Sequence, residues 1–257
     1  MQDDKTAARL PEGMGGLAKG LAILESFSQR RTRLTISEAA ESSQTSRASA
    51  RRCLLTLAEL GYLQFDGKYF RPQARLLALS AGYSGTRSLP EMAQPFLEAA
   101  RDKLNESISL AVLDGTHGLF VGRAEAERLV TTGIQIGTRV DLYCSATGRV
   151  LLAGMAGDRV IDYLDSVRIW ARTKHSLVKK AVLRDAVRQA KATGYAFTDQ
   201  ELEVGLRSIA VPVFDGKGDV VAAMSASASS ARVTVAQMIK GFVPVLRKSA
   251  DGLGRVL

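Results

Sequence analysis

Between Ser46 and Leu60 the sequence sets arginines at 47, 51 and 52 beside a stripe of Ala50, Cys53, Leu54, Leu57 and Leu60. At about 100° per residue the stripe shares one helical face. Arg52 points away from it, and Arg51 and Ser49 flank it. Guanidinium groups on the outer face of a helix can read guanine edges or grip phosphate in a major groove. A merely solvated face is the plain alternative. A second group is Ser145-Ala146-Thr147-Gly148, which opens a helical pattern continuing through Arg149-Val150-Leu151-Leu152-Ala153. Free N–H groups at a helix start favour carboxylate or phosphate, and the Ser145 and Thr147 hydroxyls add donors. The alternative is an ordinary N-cap that binds nothing. A third is the strand pattern 219–228, where Val221, Ala223, Ser225 and Ser227 share a face. Small residues leave a cavity and hydroxyls direct hydrogen bonds, against tight packing with no cavity. An aromatic or keto acid held there also needs a cation. Arg128 and Arg149 are the candidates, with Arg207 and Arg139 behind them.

Catalytic chemistry is poorly supplied. Asp199, Glu201 and Glu203 could pair for acid–base work, but no nucleophile or metal set lies nearby, and a solvated acidic loop is expected. His117 and His175 sit in no G-x-S-x-G context, and the chain has neither a G-x-G-x-x-G nor a phosphate-binding loop motif. Two histidines with Cys53 and Cys144 do not make a zinc site. No catalytic residue, metal or cofactor is expected, and the chain reads as a binding protein, not an enzyme.

The elements that must position these groups follow from periodicity. Residues 1–15 read as a polar lead-in. A helix over 16–29 buries Leu17, Leu21, Ile23, Leu24 and Phe27. Arg30, Arg31 and Arg33 follow, in a loop that is either solvated or touches phosphate. A short helix at 36–43 has Thr35 or Ser37 as N-cap, with Glu38 as a capping-box partner to Thr35. Ser43–Ser46 is the turn, with Thr45 or Ser46 capping the arginine helix and Gly61 ending it. Strands 62–65 and 68–70 flank an Asp66-Gly67 turn, with Lys68 at the tip, placed for phosphate. This is the winged helix-turn-helix order, giving a DNA-binding domain over 16–72. An apolar helix over 74–83 lies in a linker spanning 73–88. The rest, 89–257, alternates helices (89–104, 145–155, 158–164, 180–193, and 233–256 with a break near Pro244 left open) with strands (from 107, 117–124, 129–136, 207–214, 219–228). The fold class is α+β, a mainly antiparallel sheet wrapped by helices.

Composition agrees. The chain has 257 residues, 46% hydrophobic, enough for two cores, and a formal net charge of +9 that suits a polyanionic partner. No apolar run has the length of a signal peptide or membrane span, so a cytoplasmic protein without a membrane partner is expected.

LAKGLAILESF, LTISEAAESS and RRCLLTLAELGYL, with GTRVDLYCSATGRVLLAGM and GYAFTDQELEVGLRSIAVPVFDGKGDVVAAMSAS, resemble the IclR family of bacterial transcriptional regulators from about Gly16 to the C-terminus. ARRCLLTLAELGYL, LPEMAQPFLE and DQELEVGLRSIAVPV further resemble the subgroup controlling catabolism of protocatechuate, 4-hydroxybenzoate and β-ketoadipate. The resemblance implies a GAF-like effector domain behind the winged helix. It implies homodimers or homotetramers on palindromic double-stranded operator DNA, a small organic acid as effector, and RNA polymerase as a further partner. It places Leu142, Ser145, Ala146, Thr147, Thr198, Asp199, Leu206 and Ser208 at or beside the effector, joining Arg128, Arg149, Ser225 and Ser227. The candidate DNA contacts on the turn, the arginine helix and the wing are Thr45, Ser46, Arg47, Ser49, Arg51, Arg52 and Lys68. Two departures stand out. The family's turn Gly-Leu is Gln44-Thr45 here, and the subgroup's Thr-Ser-Met-Gly appears as Cys144-Ser145-Ala146-Thr147-Gly148, which changes pocket size and polarity. A sensor or protein-interaction module without sequence-specific DNA binding is the alternative function.

Overall fold

Helix capping and a tight turn define the first unit before any long-range packing does. The computed structural model describes residues 13–28, 31–80, 88–127 and 134–257, and the chain divides into two units, 1–85 and 86–257. In the first, α1 (Gly15–Glu25), α2 (Ile36–Ser42) and α3 (Arg47–Glu59) precede β1 (Leu63–Phe65) and β2 (Phe70–Pro72). Thr35 Oγ1 accepts from Glu38 N at 3.3 Å and Glu38 Oε2 accepts from Thr35 N at 2.7 Å, closing the capping box that starts α2. Those bonds hold the Glu38 carboxyl below its ordinary pKa. Ser46 Oγ accepts from Ser49 N at 3.2 Å to start α3. The antiparallel β1–β2 hairpin gains a third partner where Leu34 bridges Phe70.

Ile23, Leu34, Ala50, Leu54, Leu63 and Phe70 form the core of this unit. It is smaller than the periodicity of α1 suggests. Leu17 and Leu21 are 61% and 49% exposed, because only the C-terminal turn of α1 reaches the core. Leu60, expected on the buried stripe of α3, is half exposed at the helix C-cap. The apolar linker pattern begins as a 3-10 turn (Ala74–Leu76) and continues as α4 (Leu77–Ser80). Its expected end at residue 83 lies outside the described residues.

The second unit runs α5 (Leu89–Leu104), β3 (Ile108–Asp114), β4 (His117–Ala124), β5 (Arg139–Asp141), α6 (Ala146–Ala153), α7 (Gly157–Ser166) and α8 (Lys180–Thr193). It continues through β6 (Ala196–Asp199), β7 (Leu206–Phe214), β8 (Val220–Ser229), α9 (Val235–Gln237) and α10 (Val243–Gly254). The six strands are all antiparallel, in the order β5-β4-β3-β8-β7-β6. The sheet is amphipathic in two directions. Ile108, Leu110, Ile209, Val211, Ala222, Met224 and Ala226 face α5 and α10. Alternate residues, including Ala210 and Ala223, face α6 and α8 on the other side.

The remaining elements differ from expectation in detail. The strand expected at 129–136 falls mostly outside the described residues, since 128–133 are not described, and a short strand that was not expected lies at Arg139–Asp141. The strand Ala196–Asp199 was not expected at all. The closing helix is interrupted between α9 and α10, near Pro244, where the sequence leaves a break open. Met238–Phe242 forms a π-turn just before Pro244, whose missing N–H cannot continue the regular ladder.

Candidate DNA-contact surface and effector pocket

The turn before α3 closes without glycine. Gln44 takes φ 51°, in the left-handed region, and its N–H reaches Glu41 O at 3.2 Å while Thr45 N–H reaches Ala40 O at 2.9 Å. Ser43 Oγ adds bonds to Ala39 O (2.6 Å) and Thr45 Oγ1 (3.0 Å). These bonds offset the roughly 1–2 kcal/mol that a side chain costs in this conformation.

Arg47, Arg51 and Arg52 are exposed on α3, as are Ser46 and Lys68, and Thr45 is half-buried. Arg47 is not free to move: its guanidinium donates to Ser37 Oγ, tying α3 to α2. Ser49 departs from expectation. It is buried, with its N–H held by the Ser46 cap and its hydroxyl accepting from Ser46 Oγ, so it faces inward and not toward a groove. At the wing tip Asp66 Oδ1 accepts from the N–H groups of Lys68 (3.0 Å) and Tyr69 (2.7 Å). These bonds hold its carboxyl below the usual range. The Tyr69 ring stacks under Arg33 at 4.3 Å, with Lys68 Nζ 5.2 Å away. Arg33 and Lys68 thus share the Tyr69 ring of the wing, a pair of cations of the kind that meets a phosphate backbone. Arg31 is turned back, donating to Ser42 Oγ at 2.5 Å, and Arg30 lies outside the described residues.

In the second unit seven of the expected effector residues meet around one cavity. Ser145, Ala146, Thr147, Thr198, Ser208, Ser225 and Ser227 line it, together with Phe120, Ile134, Val140 and Leu202. Its volume is about 20 Å³, room for about one water. Ser145 is the N-cap of α6: its Oγ accepts from Gly148 N at 3.0 Å and donates to Asp141 O at 2.9 Å. The N–H groups of Ala146 and Thr147 are first-turn donors with no intrahelical acceptor. Ser208 Oγ and Ser227 Oγ lie 2.9 Å apart across β7 and β8, and Ser225 Oγ donates to Ser109 O at 3.4 Å. Gly148 lets this helix start approach so closely, since a Cβ there would overlap the backbone of Leu142.

The expected cations stand elsewhere. The buried Arg149 guanidinium is held by Glu201 at 2.8 and 2.5 Å, and also donates to Tyr143 O (3.2 Å) and Phe197 O (3.4 Å). Glu201 is therefore not a solvated carboxylate; it is 7% exposed and accepts from Leu177 N as well. Arg207 is bound by Asp199 at 2.8 and 3.1 Å, which holds the Asp199 carboxyl below its usual pKa, and Arg139 is bound by Asp114 at 2.6 Å. Neither Asp199 nor Arg149 lines the cavity; nor do Leu142, which is core, and Leu206, which is half-buried at the start of β7. Arg128 lies outside the described residues. The charge of an anion in this cavity would thus fall on hydroxyls and the α6 N–H groups.

Sequence reasoning missed Phe120, Ile134, Val140, Leu202 and Glu201. Phe120 has a readable signal, since it alternates with Leu119 and Val121, which belong to the opposite core. Burial pushes the thiol of Cys144, next to Ser145 in sequence, up to about 12, which disfavours the thiolate.

The comparisons with known proteins match this arrangement. A family model described as the IclR helix-turn-helix domain matches residues 16–67, and one described as Bacterial transcriptional regulator IclR C-terminal matches residues 82–255. The chain is 38% identical over 244 residues to the Pca regulon regulatory protein of Pseudomonas putida, covering 95% of this chain and 84% of that protein. It is 32% identical over 250 residues to the p-hydroxybenzoate hydroxylase transcriptional activator of Acinetobacter baylyi, covering 95% and 92%. The crystal structure of an IclR homolog from Microbacterium hydrocarbonoxydans, complexed with 4-hydroxybenzoate, shares the fold at a TM-score of 0.78 and 24% identity over 93% of this chain and 98% of that one. Among the described residues no helix is long and apolar enough to cross a membrane. With family models matched in both units, the chain belongs to the IclR family of bacterial transcriptional regulators and is an effector-responsive DNA-binding protein.

Proposed function

We propose that the chain is a cytoplasmic, non-enzymatic regulator of an aromatic-catabolism operon. Its effector is a small organic acid of the protocatechuate, 4-hydroxybenzoate or β-ketoadipate class. The observation that carries this reading is the convergence of six hydroxyls (Ser145, Thr147, Thr198, Ser208, Ser225 and Ser227) on the α6 helix start. Phe120, Ile134, Val140 and Leu202 supply apolar walls for a ring or chain. A cavity of about 20 Å³ is too small for such an acid, so binding requires the wall to yield. Leu202 sits in the 200–205 connection and is the natural element to move.

The DNA-binding unit acts as a pair. Met14 at the N-cap of α1, Leu17 and Leu21 on α1, and Leu77 and Leu79 on α4 are exposed apolar side chains that a second copy would cover. Two α3 helices one helical turn apart then meet the halves of a palindromic operator. The same dimer, alone or paired into a tetramer, contacts RNA polymerase at the promoter. The effector changes DNA binding only by favouring one arrangement of the two α3 helices over another.

Thermal-shift titration with the three acids tests the effector class. One should raise the melting temperature of wild type, and Thr198→Val should abolish the rise. Gel-shift titration tests the DNA surface: Arg52→Ala should weaken operator binding, and wild-type affinity should fall steeply with salt. Salt-independent binding would favour a protein-interaction module instead.

A further inference from the structure

A second cavity lies at the opposite end of α6 from the hydroxyl pocket. Leu152, Ala153 and Met155 form its floor, Val160 and Ile161 of α7 one wall, and Val187 of α8 the other. Its volume is about 310 Å³, within the range of sites that hold small organic ligands. Three cations edge it. Arg184, Arg188 and Lys191 follow one another at four and three residues along α8 and so share a face. Arg188 is partly neutralised by Asp185 at 2.9 Å. Arg184 and Lys191 make no hydrogen bond or ion pair among the described residues, although the groove they border is otherwise apolar. Structural cations usually find a carboxylate, as Arg139, Arg149 and Arg207 do here.

We propose that this groove is a second ligand site, for an amphipathic monocarboxylate whose apolar body lies on Leu152, Val160, Ile161 and Val187. Its carboxylate meets Arg184 and Lys191. The apolar walls select against small hydrophilic anions, and the exposed charges make recognition sensitive to salt. The site bears on regulation through α6 itself. Leu152 and Ala153 touch the groove, while Ser145, Ala146 and Thr147 of the same helical segment line the hydroxyl pocket. A helix of this length moves as one body, so a ligand at either end biases the position of the other end, and the coupling is reciprocal. That coupling rests on the effector reading above; binding in the groove stands without it.

Calorimetric titration of the full chain with sodium octanoate, with octan-1-ol as the neutral control, tests the proposal. Wild type should bind one octanoate per chain. Arg184→Glu with Lys191→Glu should weaken octanoate roughly tenfold, the size expected for reversing two exposed charges, and leave octanol within about twofold. The variant should keep the wild-type thermal transition of Trp170 fluorescence, which separates a lost site from a lost fold. Octanoate should also shift the affinity for 4-hydroxybenzoate without competing for its site. Absent octanoate binding, or binding undiminished in the charge-reversed variant, overturns the proposal. So does stoichiometric competition by 4-hydroxybenzoate, which would place octanoate in the hydroxyl pocket. Self-association of wild type that Ile161→Asp abolishes would also overturn it, making the groove an interface between copies. If octanoate binds as expected while no aromatic or keto acid does, the groove stands and the effector reading falls.

Discussion

Removing the Glu201 carboxylate, as in Glu201→Ala, leaves the Arg149 guanidinium buried without its counter-charge. The two side chains are almost fully enclosed and meet in a two-pronged contact of 2.8 and 2.5 Å. Unit charges with centres ~4 Å apart attract by about 4 kcal/mol at an effective dielectric constant of 20. Breaking a buried pair from one side typically costs about 3–5 kcal/mol. Arg149 keeps two carbonyl acceptors, on Tyr143 and Phe197, so the lower end applies, about 3 kcal/mol. For a domain of this size that corresponds to a fall of about 6–12 °C in melting temperature. Trp170, the single tryptophan, sits in the effector unit, where its carbonyl accepts from Tyr143 Oη at 3.0 Å. Its fluorescence therefore follows unfolding of the effector unit. Arg149→Met alone should cost a similar amount, since it removes the donor from Glu201 and from two carbonyl acceptors, Tyr143 O and Phe197 O. The double variant Arg149→Met with Glu201→Met should cost clearly less than the sum, with a coupling of about 2 kcal/mol. Additive single losses below about 1 kcal/mol each would show that the pair behaves like a surface ion pair and refute the reasoning.

Three further outcomes follow from the geometry. Gln44→Gly should raise the stability of the DNA-binding unit by about 0.5–1 kcal/mol in a denaturant titration, because glycine adopts φ 51° without the side-chain penalty. Asp199 is held below its unfolded pKa by Arg207, so it stabilises the folded state above about pH 4 and loses that contribution as pH falls further. Asp199→Asn should flatten the acid limb of a stability–pH curve without moving its neutral plateau upward. Gly148→Ala drives a methyl group into the Leu142 backbone and should cost roughly 3 kcal/mol or more. It should also remove the thermal shift given by 4-hydroxybenzoate.

What the sequence disclosed depends on the range of the interactions involved. The capping box of Thr35 and Glu38 spans three residues, and the winged-helix order was readable from such local signals. Ser225 and Ser227 were readable because a strand repeats every second residue. The partner of Arg149 was not, because Glu201 lies 52 residues away and only the folded sheet brings them together. Ser49 was misassigned for a similar reason: angular position on a helix does not reveal that the preceding turn covers it. Leu17 and Leu21 repeat at a core spacing, yet the core they would enter is too small to receive them.

Strand β8 has a consequence for how such a protein diversifies. Its even-numbered residues, Ala222, Met224, Ala226 and Ala228, belong to the α5 and α10 core, whereas Ser225 and Ser227 face the hydroxyl-lined cavity. Exchanging a hydroxyl for a methyl group at 225 or 227 alters what the cavity accepts while leaving the core side untouched. Inserting or deleting one residue would swap the two sides along the whole strand. New specificities can therefore arise by point substitution and not by length change, one side chain at a time, at the cost of the hydrogen bond that each hydroxyl makes to Ser109 or Ser208.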